Sequence, residues 1–463
     1  MKYLSTRGDS ALRSFEEVTL GGLAADGGLY VPETWPAFGE EEIRAFRGMP
    51  YAQLAARVIA RFAGESVPAG ELEKLLERAY RNFGAREVAP LKQLDDSLFS
   101  LELFHGPTFA FKDFALQFLG ELFGRFIGAR GRACAIIGAT SGDTGSAAIE
   151  AVRGRGGISL HMLHPAGRVS EVQRRQMTTV ADANIHNLAV DGNFDDCQNL
   201  VKAMFNDAEF KKRHALAAVN SINWARIAAQ TVYYFYAAVQ AGAPERAVSF
   251  AVPSGNFGNV FAGYAALQMG LPLRRLIIGT NRNDILARFF ESGRMQRREL
   301  HATISPSMDI QISSNFERLL FELCARDGGR VRGLMEDFAK HGEFSAPPEA
   351  LRKAGEIFRA RRFTDEETRA EMKRLHAANG AFTDPHSAIG TAAARAFAED
   401  GVPTIALATA HAAKFGDAAR AACGAEAPMP PALRAALRRE ERMTPVANDL
   451  DAVKKLVARG AAR

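Results

Sequence analysis

The chain has 463 residues, 47% hydrophobic and 24% charged, and Lys plus Arg exceed Asp plus Glu by 58 − 53 = 5. That length calls for more than one core, the composition is globular, and the basic excess is diffuse, without the aromatic-interleaved stripe that nucleic-acid binding needs. No apolar run reaches membrane-spanning length, no signal-peptide core is present, and Cys134, Cys197, Cys324 and Cys423 show no CxxC or framework spacing, so a reducing cytoplasm is expected.

Residues 1–95 read as a mixed N-terminal segment. Ala25-Asp-Gly-Gly-Leu-Tyr-Val-Pro32 is a glycine turn feeding a short extended piece, and the Pro68-Ala-Gly70 break precedes a helix predicted over 71–86. From about residue 97, short apolar runs alternate with amphipathic stretches. Phe99-Ser-Leu-Glu-Leu-Phe104 alternates as a strand does. Phe114, Phe118, Leu122 and Phe126 recur at i, i+4 and predict a helix over 114–129.

Further strands are predicted at 133–137, 158–163, 248–252, 275–278 and 404–408, with helices at 146–153, 195–205 and 225–241. His161 and His164, three apart on a strand, point to opposite faces and suggest no metal site. Residues 323–380 read as a charged helical elaboration and the tail from about 425 as peripheral. The repeated β-then-α order predicts an α/β fold of two parallel-type sheets covered by helices. Its expected divisions are 1–95, a smaller α/β region 96–220, a large α/β domain 221–425 and a tail 426–463.

Three loops carry chemistry. In His105-Gly-Pro-Thr-Phe-Ala-Phe-Lys-Asp113, Lys112 stands among Phe109, Phe111, Phe114 and Leu116. An ammonium so placed is poorly solvated, which lowers its pKa and suits it to Schiff-base chemistry. Alternatively, its stem simply snorkels along an apolar helix start. Pro253-Ser-Gly-Asn-Phe-Gly-Asn259, between a strand and a helix, offers backbone N–H groups and a helix dipole to a phosphate; an ordinary capped turn is the competing account. Thr140-Ser-Gly-Asp-Thr-Gly145 similarly offers donors to a carboxylate, or is a self-capped helix start. In chain order, a lysine and two anion cradles at strand C-terminal ends imply pyridoxal phosphate and an amino-acid substrate.

These segments, with Tyr3-Leu-Ser-Thr-Arg-Gly8, Asp26–Pro32, Ser170–Met177 and Asn220-Ser-Ile-Asn223, resemble threonine synthases over most of the chain, as far as Phe415. The likeness is to the longer bacterial and fungal type, pyridoxal-phosphate enzymes of fold type II, the tryptophan-synthase-β fold. It implies that Lys112 holds the cofactor as a Schiff base. Gly255, Asn256, Phe257, Gly258 and Asn259 would cradle its phosphate, and Thr409 would face its ring nitrogen. Ser141, Gly142, Asp143 and Thr144 would surround the substrate carboxylate, with Asn223, Arg226 and Lys414 as candidates for the substrate phosphate. The family usually has Pro where Ala412 stands and often Asp where Asn259 stands, which leaves Asn259's ligand role open.

The implied reaction converts O-phospho-L-homoserine and water to L-threonine and phosphate, in a monomer or homodimer with no nucleic-acid or membrane partner. A phospholyase or dehydratase giving 2-oxobutanoate, or a non-catalytic homologue that binds the cofactor, are the alternatives.

Overall fold

In the computed structural model, which describes residues 1–131 and 133–461, the apolar runs pair into two main sheets. The larger has six strands in the order Phe358–Arg362, Leu273–Thr280, Val248–Pro253, Thr404–Ala408, Leu98–Glu102 and Leu91–Gln93. Neighbours are parallel except the last pair. The smaller sheet is all parallel, ordered Thr444–Ala447, Ile185–Asp191, Ile158–Pro165 and Cys134–Ala139. Val248–Pro253 and Ile158–Pro165 are buried throughout, as strands of helix-covered parallel sheets must be. The α/β class is therefore as the β-then-α order predicts.

The helix Lys112–Arg130 packs against Ala69–Tyr80, Asp143–Val152 and Trp224–Gln240 and so joins the N-terminal segment to both sheets. Its apolar spacing places Phe114, Phe118, Leu122 and Phe126 fully inside. Gly120 permits the closest crossing: a Cβ there would stand 2.3 Å from the Ala151 carbonyl oxygen. At the N-terminus, Tyr3–Ser5 pairs antiparallel with Tyr30–Pro32. Thr6 Oγ1 and Arg7 Nη2 donate to Glu317 at 2.6 and 2.8 Å and pin that ribbon to the helix Phe316–Leu323.

Several elements depart from the sequence expectation. Leu98–Glu102, expected at the start of the smaller region, lies in the larger sheet beside Thr404–Ala408; alternation reveals a strand but not a partner three hundred residues away. The tail is integrated rather than peripheral. Thr444–Ala447 adds an edge strand to the smaller sheet, and the helix Leu450–Ala461 buries Val453 and Val457. The expected 71–86 helix is Ala69–Tyr80. Within 323–380 the helices Gly328–His341, Pro348–Ile357 and Asp365–Asn379 form as expected. Phe358–Arg362 is an added edge strand, its arginines disguising it while guarding the edge against further pairing.

Candidate active site

Val248–Pro253 and Thr404–Ala408 are parallel neighbours, so the loops that follow them emerge at one edge of the larger sheet, where α/β folds bind ligands. There Ala110 bridges Ala410, and the Phe111 N–H donates to the Thr409 carbonyl at 2.8 Å. Phe109 turns the chain with φ 61°, and Lys112 opens the Lys112–Arg130 helix. Its Nζ lies 5.0 Å from the Phe111 ring centroid and 3.4 Å from Asp143 Oδ2. Burial is the chief cause lowering its pKa; Asp143 opposes the shift, while the cations of Lys414 and Arg226 reinforce it. The adjacent Asp113 turns away, accepting from the Thr108 N–H at 2.8 Å and Oγ1 at 2.7 Å. Burial pushes its carboxyl up to about 7 against the effect of those bonds.

The Ser254–Asn259 loop leads into the helix Gly258–Gln268, which begins at Phe257 (φ 61°) without a side-chain cap. The N–H groups of that first turn and the helix dipole thus remain for an anion. The loop is braced from behind. Ser313 Oγ donates to the Gly255 carbonyl at 2.7 Å, and Asn315 donates twice to the Asn256 carbonyl, from N at 3.1 Å and Nδ2 at 3.0 Å. Ser314 Oγ donates to Asn256 Oδ1 at 3.2 Å. Asn259 points its side chain elsewhere: Oδ1 accepts from Tyr233 and Tyr234 hydroxyls at 2.6 and 3.0 Å.

In the third loop, Thr140 Oγ1 accepts from the Gly142 and Gly145 N–H groups at 3.0 and 2.9 Å, closing the turn on itself. Gly142 has φ 151°, and a Cβ there would meet Gln173 at 2.6 Å. The exposed Ser141 and partly buried Thr144 hydroxyls are the donors left to face a ligand. Asp143 is buried; its Oδ1 lies 2.6 Å from Lys414 Nζ and accepts from Gln173 Nε2 at 2.8 Å. Burial opposes its ionisation, yet Lys414, Lys112 and the hydrogen bonds hold it well below the usual carboxylate range. An ionised Asp143 repels another carboxylate, so its side chain anchors lysines rather than substrate.

The three substrate-phosphate candidates separate clearly. Asn223 is fully buried, its Oδ1 accepting from the Ala225 N–H at 3.0 Å and its Nδ2 donating to the Thr19 carbonyl at 2.7 Å. Lys414 is likewise engaged, donating to the Thr108 carbonyl at 3.0 Å besides its pairing with Asp143. Arg226 differs. It donates to the Val219 carbonyl at 3.1 Å, but among the described residues no carboxylate pairs with it and its buried Nε has no partner. Burial lowers its pKa to about 10. A buried guanidinium without a counter-ion calls for an anion. With a largely buried amine and an uncapped helix start on the same side of the sheet, the residues fit a phosphate-bearing aldehyde and a second anionic group.

Sequence reasoning gave no role to the residues that support this site, although Thr140 and Gln173 lie in segments it singled out. Thr140, Gln173 and Asn315 brace the loops, and Ser387 Oγ accepts from the Thr409 N–H at 2.8 Å while donating to Asp384. Asp384 caps the helix Pro385–Ala396; an Asp immediately before a Pro was the available signal.

Family models match in three consecutive parts: "Threonine synthase N terminus" at residues 2–80, "Pyridoxal-phosphate dependent enzyme" at 85–342, and "Threonine synthase, C-terminal" at 387–457. Threonine synthase of Pseudomonas aeruginosa is 51% identical over 99% of this chain and 98% of its own. The crystal structure of pyridoxal-phosphate-bound threonine synthase from Brucella melitensis matches at TM-score 0.97 and 50% identity, covering 100% of both chains. That from yeast matches at 0.94 and 39%, covering 100% of this chain and 99% of the other.

The chain belongs to the threonine synthase family.

Threonine synthases are pyridoxal-phosphate-dependent lyases acting on phosphates, and this cofactor is the aldehyde that the buried amine and uncapped helix start fit. The C-terminal threonine synthase segment supplies Thr409 and Lys414, together with the strand and helix that complete the smaller sheet.

Proposed function

We propose that the protein converts O-phospho-L-homoserine and water to L-threonine and phosphate. The observation that carries this is the buried Arg226 guanidinium near Lys112, which has no carboxylate partner among the described residues, a second anion need beyond the cofactor's own phosphate loop. Once bound, pyridoxal phosphate supplies an electron sink for negative charge at the substrate Cα. Lys112 would hold the cofactor, the N–H groups of Gly255–Asn259 its phosphate, and the neutral hydroxyl of Thr409 its ring nitrogen. Ser141 and Thr144 take the substrate carboxylate and Arg226 the substrate phosphate. As a free amine, Lys112 removes the Cα proton and then a Cβ proton as phosphate leaves Cγ. It returns protons after water has added at Cβ, so that Cγ ends as the methyl group. The low pKa that burial gives Lys112 suits it to this base role. The four cysteines are free thiols, in keeping with a reducing cytoplasm.

Incubation of the protein with pyridoxal phosphate and O-phospho-L-homoserine, followed by NMR, tests the proposal. Threonine and phosphate in equal amounts are expected. Formation of 2-oxobutanoate would move the function to elimination on the same scaffold, and absence of any product would overturn the substrate.

A further inference from the structure

Two lysines compete for one buried carboxylate. Lys414 Nζ lies 2.6 Å from Asp143 Oδ1 and its side chain is wholly buried, whereas Lys112 Nζ stands 3.4 Å from Oδ2. Lys414 is held in place from its other side by the Thr108 carbonyl at 3.0 Å. That carbonyl belongs to the same turn that presents Lys112, and Gln176 Nε2 also donates to it, at 3.1 Å. Gln173 takes part of Asp143 Oδ1 at 2.8 Å. The better geometry therefore goes to the lysine that performs no covalent chemistry.

We propose that Lys414 is a positioning residue that holds Asp143 through Oδ1 and so leaves Lys112 only a long, 3.4 Å bond to Oδ2, keeping Lys112 a free amine at working pH. Resting as it does on the assignment of Lys112 as the cofactor lysine, this gives Lys414 a role distinct from holding substrate phosphate. The groups facing Lys112 are few. Asp143 comes from the helix Asp143–Val152, Lys414 from the 3₁₀ turn Ala412–Phe415, Arg226 from the helix Trp224–Gln240, and the Phe111 ring from its own turn. Asp113, next in sequence, is turned onto Thr108. Asp143 and the Phe111 ring favour the ammonium form of Lys112; Lys414 weakens the influence of Asp143 twice, by its own charge and by holding the carboxylate. Deleting the Lys414 charge frees Asp143 to close on Lys112, so the Lys112 proton should become harder to remove.

The full-length apoprotein tests this directly, since capture of pyridoxal phosphate, followed by absorbance, requires the unprotonated amine. The rate of capture as a function of pH has a midpoint set by Lys112. Lys414→Met should raise that midpoint by about one pH unit, Lys414→Arg should leave it near the wild-type value, and adding Asp143→Asn to Lys414→Met should abolish the rise. A folded Lys414→Met protein whose midpoint is unchanged or lower overturns the proposal. If Lys414→Met does not fold, the Arg variant and Asp143→Asn alone decide: Arg must match wild type and Asp143→Asn must not raise the midpoint. Absence of covalent capture by the wild type, or capture undiminished in Lys112→Ala, would instead refute the cofactor-lysine assignment on which the proposal rests.

Discussion

The guanidinium of Arg318 donates to Asn315 Oδ1, and Asn315 in turn donates twice to the Asn256 carbonyl of the proposed phosphate loop. Arg318 is fully buried, stacks over Trp224 at 5.6 Å and also donates to the carbonyls of Tyr30 and Ile222. One side chain therefore ties the N-terminal ribbon, the turn before the Trp224–Gln240 helix and the Ser254–Asn259 loop together. Asn315→Ala leaves Nη1 of the buried Arg318 without its partner and removes one of the two bonds to the Asn256 carbonyl. It should lower stability by about 1–3 kcal/mol and weaken cofactor retention roughly tenfold, about 1.4 kcal/mol. Thermal unfolding of the apoprotein and a cofactor titration measure the two; retention at the wild-type level would show that the loop holds its shape without this brace.

Lys112→Ala removes the amine while leaving the uncapped helix start and the braced loop intact. Turnover should fall by roughly 10²–10⁴-fold from loss of the base alone, with cofactor still bound non-covalently through its phosphate. Turnover assays beside phosphate analysis of the dialysed protein separate the effects. Near-normal turnover in this variant would end the proposed mechanism.

Asp113 adds a pH dependence whose sign follows from its raised pKa. An unfolded aspartate titrates near 3.9, whereas burial sets the folded carboxyl at about 7. Between those values the native chain holds a proton that the unfolded chain has lost, so unfolding free energy falls as pH rises through that window. Asp113→Asn is neutral throughout and should lack this decline, its amide still able to accept from the Thr108 N–H. Urea unfolding at about pH 5 and about pH 8 measures it. Equal pH responses in the two proteins would place the titration elsewhere.

Much of this was legible in local pattern, and what was not is non-local. Lys112 stood out because Asp113 is its only polar neighbour in the run from Phe109 to Leu116, and the glycine loops because they follow apolar strands directly. That the Asp143 carboxylate belongs to Lys414 could not be read from either segment: the two lie on loops of different sheets, brought together only when both are built. Asn223 looked like a phosphate ligand for the same reason, its capping bond being local but its Thr19 partner two hundred residues away. Thr444–Ala447 escaped because its exposed, short edge strand has little apolar alternation to show.

Asn259 offers the sharpest division between framework and ligand. It opens the same helix as the cradle, yet its Oδ1 accepts from both Tyr233 and Tyr234, and its Nδ2 is buried without a partner among the described residues. Asn259→Ala takes that acceptor from two buried phenols, although Tyr234 keeps the Asn259 carbonyl at 2.8 Å. A loss of about 1–3 kcal/mol in stability is expected, with cofactor affinity little changed because the backbone N–H remains. Asn259→Asp replaces the orphaned donor with a second acceptor for the same two hydroxyls and should fold with near wild-type stability. Unfolding and cofactor titration of both variants check this. Should the Ala variant keep its stability and lose cofactor affinity tenfold or more, the side chain would be a ligand after all and the tyrosine contacts incidental.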